Sequence, residues 1–374
     1  MNPEPQRIRK PNEMKTKVAY LICALLFFAG TWAAPGLNNY ASGAAVLAGA
    51  IFAWLLGNPL REHSTKLVHP LLGWAIVGMG FGMNLPAVLR AGAGGILYTL
   101  IGISLGLGLG IWLGKKFRLT RDSTLLISVG TSICGGSAIA AAAPVLKAKS
   151  HDIALATAIV FLLNAIALVI FPMLGHLMGF TQVQFGEWAA LAIHDTSSVV
   201  GASMQYGETA LEVGTTIKLA RALWIVPVSI FLGYLVRNDQ APIEGEKRKF
   251  KIRVPWFIPG FLLAALLVTA LPVLRPAGAA LQDLSKHLML LTLFLIGSNL
   301  DFAKIRELGI RPVLHGVTLW VVLATIWGGA IFLHWLPSST PAAKPEQPRQ
   351  EAVAPQQPQE AVTAAPQAAE PSVR

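Results

Sequence analysis

The chain has 374 residues, 54% of them hydrophobic and only 13% charged, with a formal net charge of +11 and a mean hydropathy of +0.57. A soluble domain carries about 25% charged residues, so this composition excludes a water-soluble globule, a coiled coil and a secreted disulfide scaffold. The basic surplus sits between apolar runs, where it reads as the Lys/Arg of cytoplasmic loops and not as a nucleic-acid surface.

In chain order, residues 1–16 form a basic N-terminus, and Arg7, Arg9, Lys10, Lys15 and Lys17 precede or begin an apolar run to Ala34. More apolar runs follow in place of a cleavage site and a soluble domain, so this run is a first membrane helix and not a signal peptide. Uncharged apolar stretches predict eleven spans, at 17–35, 41–58, 67–84, 92–114, 122–146, 151–177, 185–206, 209–236, 255–273, 281–300 and 311–335. The transmembrane domain so defined covers 17–336, and the Pro/Ala/Gln-rich residues 337–374 read as a disordered tail. Cys23 and Cys134 lie inside apolar stretches and imply neither a disulfide nor a metal site. With the N-terminus inside and every span crossing, the cytoplasmic segments collect twenty Lys and Arg residues. The opposite loops collect four, Arg90, Lys147, Lys149 and Arg275. The same threading leaves the C-terminus outside.

Four spans carry unusual residues. Span four repeats glycine at Gly102, Gly106, Gly110 and Gly114, a small-residue face for close helix packing. Span five reads Thr131-Ser132-Ile133-Cys134-Gly135-Gly136-Ser137 and then runs into alanines. Its paired glycines can unwind a helix, and a second half-helix starting near Ser137 would offer its amides to an anion. Span seven holds His194-Asp195-Thr196-Ser197-Ser198, five polar residues that cannot face lipid as continuous helix. Asp195, Thr196 or Ser197 caps the half-helix that follows, and His194 or Asp195 is a candidate for a coupling proton. Span eight places Lys218 and Arg221 near mid-bilayer, three residues apart on one face. Each charge costs about 2.5–3.5 kcal/mol at that depth. The pair is either neutralised by Asp195, Glu208 or Glu212, or it supplies positive charge to an anionic substrate. Asn164 on span six either lines the site or bonds another helix. Two interrupted spans with small polar cores are how secondary transporters build sites at the midplane. Short echoes, Gly82-Met83-Asn84-Leu85 with Gly297-Ser298-Asn299-Leu300 and the two Gly/Ser-rich breaks with each other, point to an inverted repeat.

The segments Ile133–Ala141, His194–Ala202 and Lys218–Trp224 resemble the YeiH-like family of bacterial inner-membrane proteins, labelled a sulfate exporter family. Ile296–Leu300, Arg311-Pro312, Gly316 and Trp320 also fit, and the likeness covers residues 17–335. It implies the wider fold group of cation–proton antiporters and bile-acid symporters. There, two broken helices cross in a core domain that slides against a panel or dimerisation domain. Spans five and seven would be the crossing pair, and a homodimer is expected from the same group.

The sequence thus predicts an all-α polytopic protein of the bacterial cytoplasmic membrane. About eleven transmembrane helices build an inverted-repeat secondary transporter fold with two broken crossing helices. The expected substrate is a small inorganic or organic anion, sulfate or a sulfonate among the candidates. Its movement is expected to be of elevator type, with H+ or Na+ as the coupling ion. The rival is a cation–proton antiporter binding Na+ at Asp195. Thr131, Ser132, Cys134, Gly135, Gly136 and Ser137 are expected to meet Thr196, Ser197 and Ser198, with Lys218 and Arg221 setting the charge preference. His194 and Asp195 would serve coupling, with Asn164 as a further candidate. Membrane lipids are the expected surroundings. CxxC, HExxH, phosphate-loop and Gly-x-Ser-x-Gly signatures are missing, so no cofactor, metal, nucleic acid or catalytic residue is expected.

Overall fold

A computed structural model describes residues 13–33, 38–237, 256–301 and 308–335. The expectation of a disordered tail at 337–374 falls outside the described residues. The helices are α1 (Glu13–Ala33), α2 (Asn38–Leu56), α3 (Arg61–Gly80), α4 (Leu85–Lys116), α5 (Arg121–Ser132), α6 (Gly136–Leu146) and α7 (Ser150–Leu177). They continue with α8 (Gln182–Ala192), α9 (Thr196–Tyr206), α10 (Glu208–Ala222), α11 (Ile225–Arg237), α12 (Phe257–Ala270), α13 (Arg275–Ser298) and α14 (Ile310–Phe332). No strand occurs among the described residues. Each predicted span coincides with one helix or with a pair. Among the described residues, 97–116, 150–177, 208–234, 272–298 and 310–332 are long and apolar enough to cross a membrane. These helices and their neighbours leave large apolar side chains exposed, among them Leu25, Trp54, Trp74, Trp112 and Phe231, a surface suited to lipid tails.

Spans five and seven were expected to cross, and the structure corrects both. Thr120 Oγ1 donates to Asp152 Oδ1 at 3.0 Å, and Ser123 Oγ donates to the same oxygen. The start of α5 therefore lies beside the start of α7, and α6 must run back between them. Ile139 of α6 accordingly packs on Gly130 of α5. At 182–206 the same argument holds from the other end. Gln182 Oε1 accepts from the Thr209 amide at 3.0 Å, Tyr206 stacks on Phe185 at 3.8 Å between ring centres, and Tyr206 Oη donates to the Phe180 carbonyl at 2.5 Å. Both segments are re-entrant hairpins that begin and end at one side. A helix of 11 or 12 residues at 1.5 Å per residue reaches about 17 Å, roughly half of a hydrocarbon core. The hairpins enter from opposite ends, so their tips, 133–135 and 193–195, meet in the middle.

The helices sort into two groups. In the first, α13 packs on α1, α2 and α3, and α12 on α3. The second holds α4, both hairpins, α7, α10, α11 and α14, with α10 against the second hairpin and α11 against α6. The predicted glycine face of α4 is where α5 and α14 approach it. A Cβ on Gly110 would stand 2.6 Å from Ser128 Cβ, and one on Gly102 would stand 2.8 Å from Trp327. Between the groups, α9 packs on α2 and α13, and Ser42 Oγ donates to the Gly201 carbonyl at 2.7 Å.

Candidate functional site

The site is built where the hairpin tips meet. Gly135 turns the first tip at φ +65°, ψ −127°, a region L side chains rarely adopt. A Cβ there would lie 3.4 Å from Asp195 Cβ, so its lack of a side chain also lets the second tip approach. Asp195 turns the second tip as the N-cap of α9, accepting from the Ser197 amide at 3.0 Å and from Ser197 Oγ. Asn164 of α7 holds this turn from the side, its Oδ1 accepting from the His194 and Asp195 amides, each at 3.1 Å. The start of α6, in contrast, has no side-chain cap.

Lys218 and Arg221 project from α10 into both breaks. Lys218 Nζ donates to the carbonyls of Ile133 at 3.0 Å, Ala190 at 3.4 Å and Ile193 at 2.6 Å. Arg221 Nε donates to the Ser132 carbonyl at 2.9 Å, and Nη2 donates to the same oxygen. Its Nη1 reaches the carbonyls of Ala190 at 3.3 Å and Leu191 at 2.6 Å. Helices α5 and α8 end here with carbonyls that have no partner along the helix, and cations are the favourable group at a helix C-terminus. Among the described residues neither cation forms an ion pair with a carboxylate. Glu208, one expected partner, pairs with Lys286 instead, at 3.2 Å.

A cavity of about 450 Å³ lies between the two helix groups. One end is flanked by the Arg61–Asp301 ion pair, 2.9 Å long. The other end reaches Asn164, Asp195, Ser197 and Ser198. The structure thus brings four of the expected site residues to one cavity. Lys218 and Arg221, expected to face it, do not line it. They are 0% and 1% exposed and turned towards backbone carbonyls. Thr131, Ser132, Cys134 and Thr196 are buried outside its walls. Gly135, Gly136 and Ser137 are not wall residues either, and Phe161, which is one, lies against Gly136. His194 is buried edge-on to Trp320, 6.1 Å between ring centres, and neither ring nitrogen finds a partner among the described residues. Sequence reasoning missed Thr65, His69, Thr157 and Phe161, which line the cavity from α3 and α7. None of them stands out locally from an ordinary membrane helix. Among the described residues, no group of three His, Cys, Asp or Glu side chains is placed to hold a metal.

Residues 19–316 match the family model described as Conserved hypothetical protein 698. A UPF0324 membrane protein of Bdellovibrio bacteriovorus is 49% identical over 320 residues, spanning 86% of this chain and 95% of that protein. One from Bacteroides thetaiotaomicron is 42% identical over 319 residues, spanning 83% and 93%. One from Geobacter sulfurreducens is 43% identical over 291 residues, spanning 78% and 91%. No solved structure matches the chain. With its apolar helices, the likeness identifies an integral membrane protein.

Proposed function

This chain belongs to the Conserved hypothetical protein 698 family, which includes the UPF0324 membrane proteins, and on that premise we propose that it is a secondary transporter of a small anion. The observation that carries the reading is the burial of Lys218 and Arg221 without a carboxylate partner among the described residues. Carbonyls satisfy their hydrogen bonds but carry no formal charge. The four half-helix ends at the tips contribute roughly half a charge each, two of either sign, and cancel. Among the described residues Asp195 is the one acidic side chain at the tips 133–135 and 193–195, against two basic ones, which leaves the formal charge there positive. In a low-dielectric interior that charge favours an anion.

Asp195 already occupies the positive end of α9, as an internal anion. An external one competes with it unless the carboxylate takes up a proton, which couples the two ligands. The titratable and charged groups around this turn are His194 beside it, Cys134 at the opposing tip, and Lys218 and Arg221 behind. The two helix groups with the cavity between them suit an elevator motion of one past the other. No covalent chemistry is assigned to the protein.

In proteoliposomes, an inward pH gradient should drive uptake of a labelled sulfonate or sulfate, and Asp195→Asn should retain anion binding but lose that dependence. Sodium-driven proton flux that no anion alters would replace this reading with cation–proton antiport on Asp195, the rival that the carboxylate at the cavity wall favours.

A further inference from the structure

The polar end of the cavity contains one group whose orientation is settled and whose hydrogen bonds are incomplete. Asn164 Oδ1 accepts from two backbone amides, which fixes the flip of the carboxamide. Its Nδ2 is therefore turned the other way. That nitrogen is buried, belongs to a residue only 4% exposed, and finds no acceptor among the described residues. A buried amide nitrogen with two donors and no acceptor is uncommon in a native fold. Asn164 also lines the cavity next to Asp195, Ser197 and Ser198. These groups lie together at one end.

The remaining walls are different. Val46, Val68, Leu72, Phe161, Leu168 and Ile296 offer hydrocarbon, alongside Thr65, His69 and Thr157 and the Arg61–Asp301 pair at the far end. The volume of about 450 Å³ falls in the range of roughly 300–1,000 Å³ typical of pockets for organic ligands. An inorganic dianion would lose its hydration against the apolar part of the wall and gain nothing from it.

We infer that the cavity binds an organic anion, its acid group held at the end formed by Asn164, Ser197 and Ser198 and its hydrocarbon body lying along the wall formed by Phe161 and Leu168. This rests on the anion reading above and narrows it, because sulfate has no part that the apolar wall can hold. A carboxylate or a sulfonate supplies the acceptor oxygens equally well, and chain length supplies the discrimination.

The test is calorimetric titration of the protein in nanodiscs with sulfate, methanesulfonate, propanesulfonate and pentanesulfonate, and with the matching carboxylates. Affinity should rise by about three- to fourfold per methylene until the wall is covered, with sulfate weakest. Phe161→Ala should flatten that rise. Asn164→Asp keeps the acceptor for both amides, so it should fold, with its melting temperature as the check, while affinity for every anion falls at least tenfold. Sulfate binding as tightly as propanesulfonate, or an affinity independent of chain length, overturns the inference and leaves anion transport standing. If the wild-type protein binds none of these anions, the transport reading fails with it.

Discussion

Arg221 gives the Ser132 carbonyl two donors and the Leu191 carbonyl one, and both oxygens are buried at helix ends. Leaving a buried acceptor unsatisfied costs about 1–3 kcal/mol. Arg221→Met should therefore destabilise the protein by about 2–6 kcal/mol for its two orphaned carbonyls, seen as a lower midpoint in chemical unfolding. Stability unchanged in that variant would mean that the guanidinium does not hold the tips. The sequence marked Lys218 and Arg221 as costly and therefore purposeful, and that much was legible. It offered two partners for them, carboxylates or an anionic substrate, and the structure uses a third, the backbone. Backbone carbonyls carry no side-chain signature, so no residue pattern announces them as partners. Gly135 is the simpler case, since its positive φ is a local property. Gly135→Ala should cost about 1–3 kcal/mol by the same unfolding measurement.

The hairpins show where a hydropathy reading stops. A run of about 25 apolar residues is long enough for one crossing, and equally long enough for two half-depth helices joined by a turn. The breaks themselves were legible, from Gly135-Gly136 in one segment and from His194 to Ser198 in the other. What was not legible is the direction of the second half-helix, which rests on contacts distant in sequence, Thr120 and Ser123 with Asp152, and Gln182 with Thr209. The glycine face of α4 was readable because it is periodic, and the structure gives it partners. Gly110→Ala forces its new methyl against Ser128 and should destabilise by about 1–3 kcal/mol. Adding Ser128→Gly should recover at least 0.5 kcal/mol or so of that loss in a double-mutant cycle. Additive losses would place the strain elsewhere.

At the scale of the molecule, replacing two crossings by two hairpins leaves the parity of the remaining spans unchanged, so the expected orientation rests on the same charge bias as before. With both hairpins re-entrant, Lys147 and Lys149 join the end that carries Lys115, Lys116, Arg118 and Arg121. The balance of Lys and Arg then becomes 22 against the two residues Arg90 and Arg275. In a Cys23→Ser, Cys134→Ala background, a cysteine placed by Lys149→Cys should react with an impermeant maleimide in inside-out vesicles and not in intact cells. Labelling in intact cells would restore a crossing at span five. The clamp on the tips has a final consequence. Lys218 and Arg221 stand on one helix and hold both hairpins at once, which ties the two tips into one unit. Under the transport proposed above, that unit would move as one piece against the group formed by α1, α2, α3, α12 and α13.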